Sequence, residues 1–167
     1  MSKYRRTTWR EKLADDKGLP QVIEITGKMV RLWGEGTCAI PAPREVDALI
    51  RRVPQGKVTT INEMRAYFAQ KQGGTIGCPI TTGIFAWIAA HAAADDEAEG
   101  KQRITPWWRV LKAGGKLNPK FPGGVEEQSR RLRAEGHELV AGKGKQPPKV
   151  LDYERRLARL QPITPAT

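Results

Sequence analysis

Few side chains in this 167-residue sequence have the types that carry covalent or acid–base chemistry, and their spacing limits what they could do. There are two cysteines, Cys38 and Cys78, and two histidines, His91 and His137. No CxxC pair and no His/Cys spacing suited to zinc is present, and the sequence implies no metal and no cofactor. Cys78 precedes Pro79 at an expected helix start, where the helix N-terminus would lower a thiol pKa. It is therefore an alternative nucleophile, to be weighed against a small buried side chain beside a cap. The densest aromatic stretch is "RITPWWRVLKAGG", residues 103–115. An indole has no nucleophilic lone pair and no acid–base function near neutral pH, so Trp107 and Trp108 offer surface rather than reactivity. They are either a piece of core beside a turn or the wall of a pocket.

The composition narrows the partners. Hydrophobic residues at 39% and charged residues at 28% give the balance of a globular domain rather than a disordered chain. Lys and Arg total 29 against 18 acids, a formal net charge of +11. That surplus favours a polyanion, because cations that neutralise phosphates release counterions; solubility alone is the bland alternative. The start "MSKYRRTTWREKLADD" lacks the apolar stretch of a secretory signal. The run from Ile76 to Ala94 is too interrupted to span a membrane. A reducing cytoplasm, with nucleoid association in a bacterium, and a monomeric state without membrane contact are the expectations.

The elements that must position these residues follow from local pattern. Thr8 with Glu11 caps a short helix, and "LPQVIEITG" alternates like a strand. "PREVDALIRRV" sets Val46, Leu49, Ile50 and Val53 at helical spacing after a first-turn proline. Thr60 with Glu63 opens a second helix whose apolar face is Ile61, Met64 and Phe68. After Gly73-Gly74 a further helix restarts at Pro79, with Ile80, Ile84, Phe85 and Ile88 on one side. Helix, glycine-containing turn, helix is the form of a helix-turn-helix, and equally of two packed helices. "VEEQSRRLRAEG" is a helix closed by Gly136. "HELV" and "PPKVLDY" pair around "AGKGKQ" like a wing, and "ERRLARL" reads as a basic helical tail. The expected class is mainly α with small β, an α+β winged-helix-like helix-turn-helix. Its divisions are an extension over 1–42, a central domain over 43–140 and a strand/helix tail over 141–167.

In that order "VPQGKVTTINEM", "GCP" opening a helix, "PWWRVLKAGGKLNPKFPGG" and "RLRAEG" resemble the DNA-binding domain of alkylguanine-DNA alkyltransferases. That family typically reads "IPxGxVxTY", "GNPxAxRxVG", "PCHRV", a loop ending in "GG" and a helix ending in "EG". The resemblance covers roughly residues 43–140. It implies a pocket for a flipped guanine, with a cysteine that accepts the alkyl group, activated through water by a His and a Glu. Here those positions hold Trp107, Trp108 and Glu135, so alkyl transfer by that route is impossible. The chain is closer to the alkyltransferase-like proteins, whose motif usually reads "PWHRV". The resemblance implies that such proteins bind alkylated DNA without repairing it and flag the lesion for nucleotide excision repair. The partners it implies are double-stranded DNA, with alkylated guanine, and excision-repair proteins.

The departures shape the expected site. The position of the family's intercalating arginine is Gly83, and that of its phosphate-rotating tyrosine is Ile61. Thr81 and Thr82 could still meet phosphates, and Phe85 or Ile84 could wedge into the stack, with core packing the expected job of both. The lesion pocket would be Pro106, Trp107, Trp108, Arg109, Phe121, Pro122, Gly123 and Glu135, an aromatic surface that stacks on a base or is closed by Trp108. Arg109 is either a DNA contact or a brace of its turn. Lys112, Lys116, Lys120, Arg155 and Arg156 would supply cations. The rival readings are a generic DNA-binding or interaction module with a closed pocket, and an enzyme transferring alkyl groups to Cys78.

Overall fold

Two threonines start two of the helices. Thr8 accepts the Glu11 amide at 3.1 Å and opens α1 (Trp9–Ala14). Thr60 accepts the Glu63 amide at 3.1 Å and opens α4 (Ile61–Gln72), which ends on Gly73 in the left-handed region. The computed structural model describes residues 5–162; positions 1–4 of the expected extension and 163–167 of the tail lie outside the described residues. Between those helices come β1 (Gln21–Glu24), α2 (Met29–Trp33), β2 (Thr37–Ile40), α3 (Pro43–Arg51) and β3 (Thr59–Thr60). After α4 follow β4 (Ile76–Gly77), α5 (Thr81–Ala98), β5 (Val110–Leu111), α6 (Gly124–Ala134), β6 (Leu139–Val140) and β7 (Lys149–Val150). The helices dominate and the sheets are small, so the fold is α+β. No described helix is long and apolar enough to cross a membrane.

The centre is α5. Its alanines 86, 89, 90 and 93 are buried and leave room for α3 and α1 to lie close. Phe85, Ile88, Met64, Phe68, Val46 and Trp107 fill the main core around it. The helix starts at Thr81 rather than at Pro79, because Cys78 to Ile80 form the connecting turn.

The N-terminal segment does not stand apart. β1 pairs antiparallel with β2, and β2 pairs parallel with β4, which lies in the turn between α4 and α5. The turn hugs α4 so closely that a Cβ on Gly77 would sit 2.1 Å from the Arg65 carbonyl oxygen. Only glycine fits there. Trp9 and Leu13 of α1 pack on the main core, and so does Leu160 from the tail.

At the other end β6 and β7 pair antiparallel, as the wing-like pattern predicts. The basic tail is not a continuous helix: it makes one 3₁₀ turn over Tyr153–Arg156 and then runs extended. Backbone pairing explains the change. Val58 N–H donates to Arg156 O and Ala158 N–H to Val58 O, at 2.9 and 2.8 Å, drawing the tail alongside residue 58.

Candidate nucleic-acid interface

The Trp-Trp stretch is a clamped 3₁₀ turn over Trp107–Arg109. Thr105, just before it, donates its hydroxyl to Asp47 of α3 at 2.6 Å. Gln128 of α6, fully buried, donates to the carbonyls of Trp108 and Val110 at 3.2 and 3.0 Å. Its own oxygen accepts the Asn118 amide at 2.9 Å, so a single amide side chain fixes both the turn and the loop after it.

Glu135 holds the turn from beyond the end of α6. The Trp108 indole N–H donates to Oε1 at 3.0 Å, and Arg109 donates through Nε at 3.0–3.1 Å and through Nη2 at 2.6 Å. Arg109 also donates Nη1 to the Val53 carbonyl at 2.7 Å. Burial by itself pushes the Glu135 carboxyl upward, but the Arg109 and Trp108 hydrogen bonds outweigh it and hold the group below its usual range. The carboxylate that the resemblance assigns to activating a histidine is thus fully engaged by an indole and a guanidinium. Arg109 is a brace of the turn. Arg131 adds a second cation, its Cζ 4.8 Å from the Trp108 ring centre and 5.3 Å from that of Trp107. Arg131 is itself held by Glu97 and Glu127.

Trp107 and Phe121 do not line an open stacking surface. They are 1% and 3% exposed and meet edge to face with ring centres 5.8 Å apart, as part of the main core. The Trp107 indole N–H is buried without a hydrogen-bond partner. Trp107, rather than Trp108, is the indole that fills this space. Trp108 is half-buried, and clefts of about 340 and 470 Å³ lie against it, one beside Arg51 and Arg103, the other beside Gln55 and Arg130. Pro106 is buried at the head of the turn, while Pro122 and Gly123 form the entry to α6.

Thr82 is likewise not placed to meet a phosphate. It is fully buried, with its hydroxyl donating to the Cys78 carbonyl at 2.8 Å, because the phase of α5 turns it inward. The Thr81 hydroxyl is also buried. Cys78 is 4% exposed and its sulfur accepts the Thr81 amide at 3.4 Å. Its neighbour Cys38 is pushed up to about 11 by burial and by the adjacent thiol. Neither thiol is presented to a duplex.

Other expected contacts do come together. Ile61, Gly83, Lys112 and Lys120 line one cleft of about 450 Å³. Lys120 is set there by α5: the Trp87 indole N–H donates to its carbonyl at 3.1 Å, and His91 Nε2 lies 3.2 Å from the same oxygen. Trp9 of α1 stacks on His91 with ring centres 4.5 Å apart. Lys116 is separate, donating to Gln146 in the loop between β6 and β7 at 3.0 Å. Arg155 and Arg156 border a different cleft with His137. Gln128, Arg131 and Trp87 were not foreseen. A buried Gln inside a charged helix leaves no trace in hydrophobic spacing, and Arg131 is lost in a run of basic residues.

Over most of its length the fold is similar to that of two S. pombe proteins solved on DNA. A crystal structure of S. pombe Atl1 in complex with damaged DNA containing O6-carboxymethylguanine matches over 70% of this chain and 94% of that chain, with TM-score 0.51 and 20% identity. A structure of S. pombe ATL in complex with DNA matches over the same shares, with TM-score 0.50 and 19% identity. At this identity the likeness is one of fold. No family model and no curated protein sequence matches the chain.

Proposed function

We propose that this chain binds double-stranded DNA carrying an O-alkylguanine, leaves the alkyl group in place and marks the site for nucleotide excision repair. It does so as a cytoplasmic monomer. The observation that carries the reading is the clamped turn: an indole stands at each position where the resemblance would require a thiol or an imidazole, and Glu135 is bound to Trp108 and Arg109. A turn so held has no group that could accept an alkyl chain, yet it sits in a fold shared with a protein solved on alkylated DNA. The surplus of 11 positive charges supplies the general affinity for phosphates.

Incubation with an O-alkylguanine duplex tests this. The intact protein mass stays constant, the strand keeps its modified base, and the modified duplex competes roughly tenfold better than a plain one, the scale of one base-pair discrimination. A mass gain equal to the alkyl group, abolished in Cys78→Ser, overturns it in favour of alkyl transfer. A second reading rests on the burial of Trp107 and Phe121. A closed aromatic block suits a DNA-binding module indifferent to lesions, and that reading requires equal competition by both duplexes.

A further inference from the structure

Positions 80, 83, 84 and 87 follow the i, i+3, i+4, i+7 spacing of a single helical stripe. They are Ile80, the helical-geometry residue that caps α5, and Gly83, Ile84 and Trp87 within it, and they line one cleft at the surface. Ile80 is 55% exposed and Ile84 45%, on a helix whose other bulky aliphatic and Phe side chains are buried. None of the residues lining the cleft is acidic, and Lys112 and Lys120 stand in it.

Gly83 adds an independent observation. Glycine inside a helix is unfavourable relative to alanine, and a packing contact is the usual reason to keep one. Gly77 has that reason, because its Cβ would collide with α4. Gly83 has none: a Cβ there would meet nothing within 4 Å, and its backbone is ordinary helix. The space is kept open toward the outside of the molecule.

We infer that Ile80 and Ile84 form an apolar wedge that presses into the base stack of duplex DNA, with Gly83 as the notch that lets the strand approach the helix. The inference rests on the duplex-binding part of the proposed function and not on lesion preference. Apolar wedges inserted between base steps unstack and kink DNA, and lysines beside the wedge meet the flanking phosphates. A second copy of the chain is a poorer occupant, since it would bring another 11 net positive charges and its own lysines against these.

The test uses plain duplexes carrying 2-aminopurine at successive positions, a base whose fluorescence rises when it unstacks. Saturating wild-type protein raises the signal at one or two adjacent positions. Ile84→Ala abolishes the rise and weakens binding roughly tenfold, the scale of one buried aliphatic side chain. Gly83→Ala raises the melting temperature by roughly 2–5 °C while weakening duplex binding. Ile23→Ala, at a 40% exposed isoleucine on β1, changes neither reading. A flat signal at every position under saturation overturns the wedge, as does a rise that persists in an Ile80→Ala/Ile84→Ala double variant. Unchanged affinity in Gly83→Ala, or self-association that Ile84→Ala dissolves, overturns it too. Unstacking without lesion preference would leave the wedge and remove the lesion reading; lesion preference without unstacking would do the reverse.

Discussion

Glu135 carries the most tightly held charge near the Trp pair: its side chain is 9% exposed and that of its partner Arg109 13%. Replacing it by Gln leaves a buried guanidinium without its counter-charge. Glu135→Gln is therefore expected to lower the unfolding free energy by roughly 2–4 kcal/mol and to shift Trp emission, as read by urea titration. Trp107 offers a contrasting test. Trp107→Ala opens a cavity in the core and costs about 3–5 kcal/mol, whereas Trp107→Phe keeps a ring and removes an unpartnered N–H, so its cost is clearly smaller. His137 gives a pH signature. It is buried with both ring nitrogens unpartnered, and burial, followed by the nearby Arg156 charge, holds its pKa below the usual value. The unfolded chain then binds the proton more readily, so stability is full above about pH 6.5 and falls as pH drops toward the folded value. Melting temperatures between pH 7.5 and 5 should show this slope, and His137→Gln should flatten it.

At the scale of elements, the helix starts at Thr8 and Thr60 and the stop at Gly73 were legible, because a cap is a local event between residues three or four apart. The pairing of β6 with β7 was legible because its partners, Leu139 with Val150 and Val140 with Lys149, lie only 9 to 11 positions apart around a glycine-bearing turn. The three-stranded sheet was not: β4 is two residues long and pairs across 38 positions with β2, so no local periodicity announces it. Periodicity also put Ile80, Ile84, Phe85 and Ile88 on one side, with Ile84 expected in the core, whereas Ile80 and Ile84 are exposed and Phe85 and Ile88 buried. Spacing gives the angular position of side chains on a helix but not which side meets the core, and α5 is apolar on nearly every side. Around the Trp pair, a turn next to Trp107 and Trp108 was readable from Pro106, while its clamp by Gln128 and Arg131 was not. Helix α1 also contributes, since Trp9 stacks on the His91 ring that lies against the Lys120 carbonyl. Trp9→Ala is expected to destabilise the fold by about 2 kcal/mol and to weaken DNA binding by loosening the loop that bears Lys120, which calorimetry and a binding titration would check together.

For the whole molecule the controlling quantities are charge and its placement. Two of the expected cations, Lys112 and Lys120, share a cleft with the α5 stripe, while Arg155 and Arg156 lie elsewhere. Removing Lys120 is expected to reduce the slope of log affinity against log salt by about one and to weaken plain and modified duplexes alike. Lesion recognition is a separate property, measured by the ratio of the two affinities at the same salt. That ratio is the most direct test of the account: fluorescence titration of matched duplexes with and without one O-alkylguanine, at several salt concentrations. A preference of roughly tenfold that persists as salt rises, while both affinities fall, is the predicted result. Equal affinities at every salt concentration would contradict it and leave a basic DNA-binding module with a filled pocket.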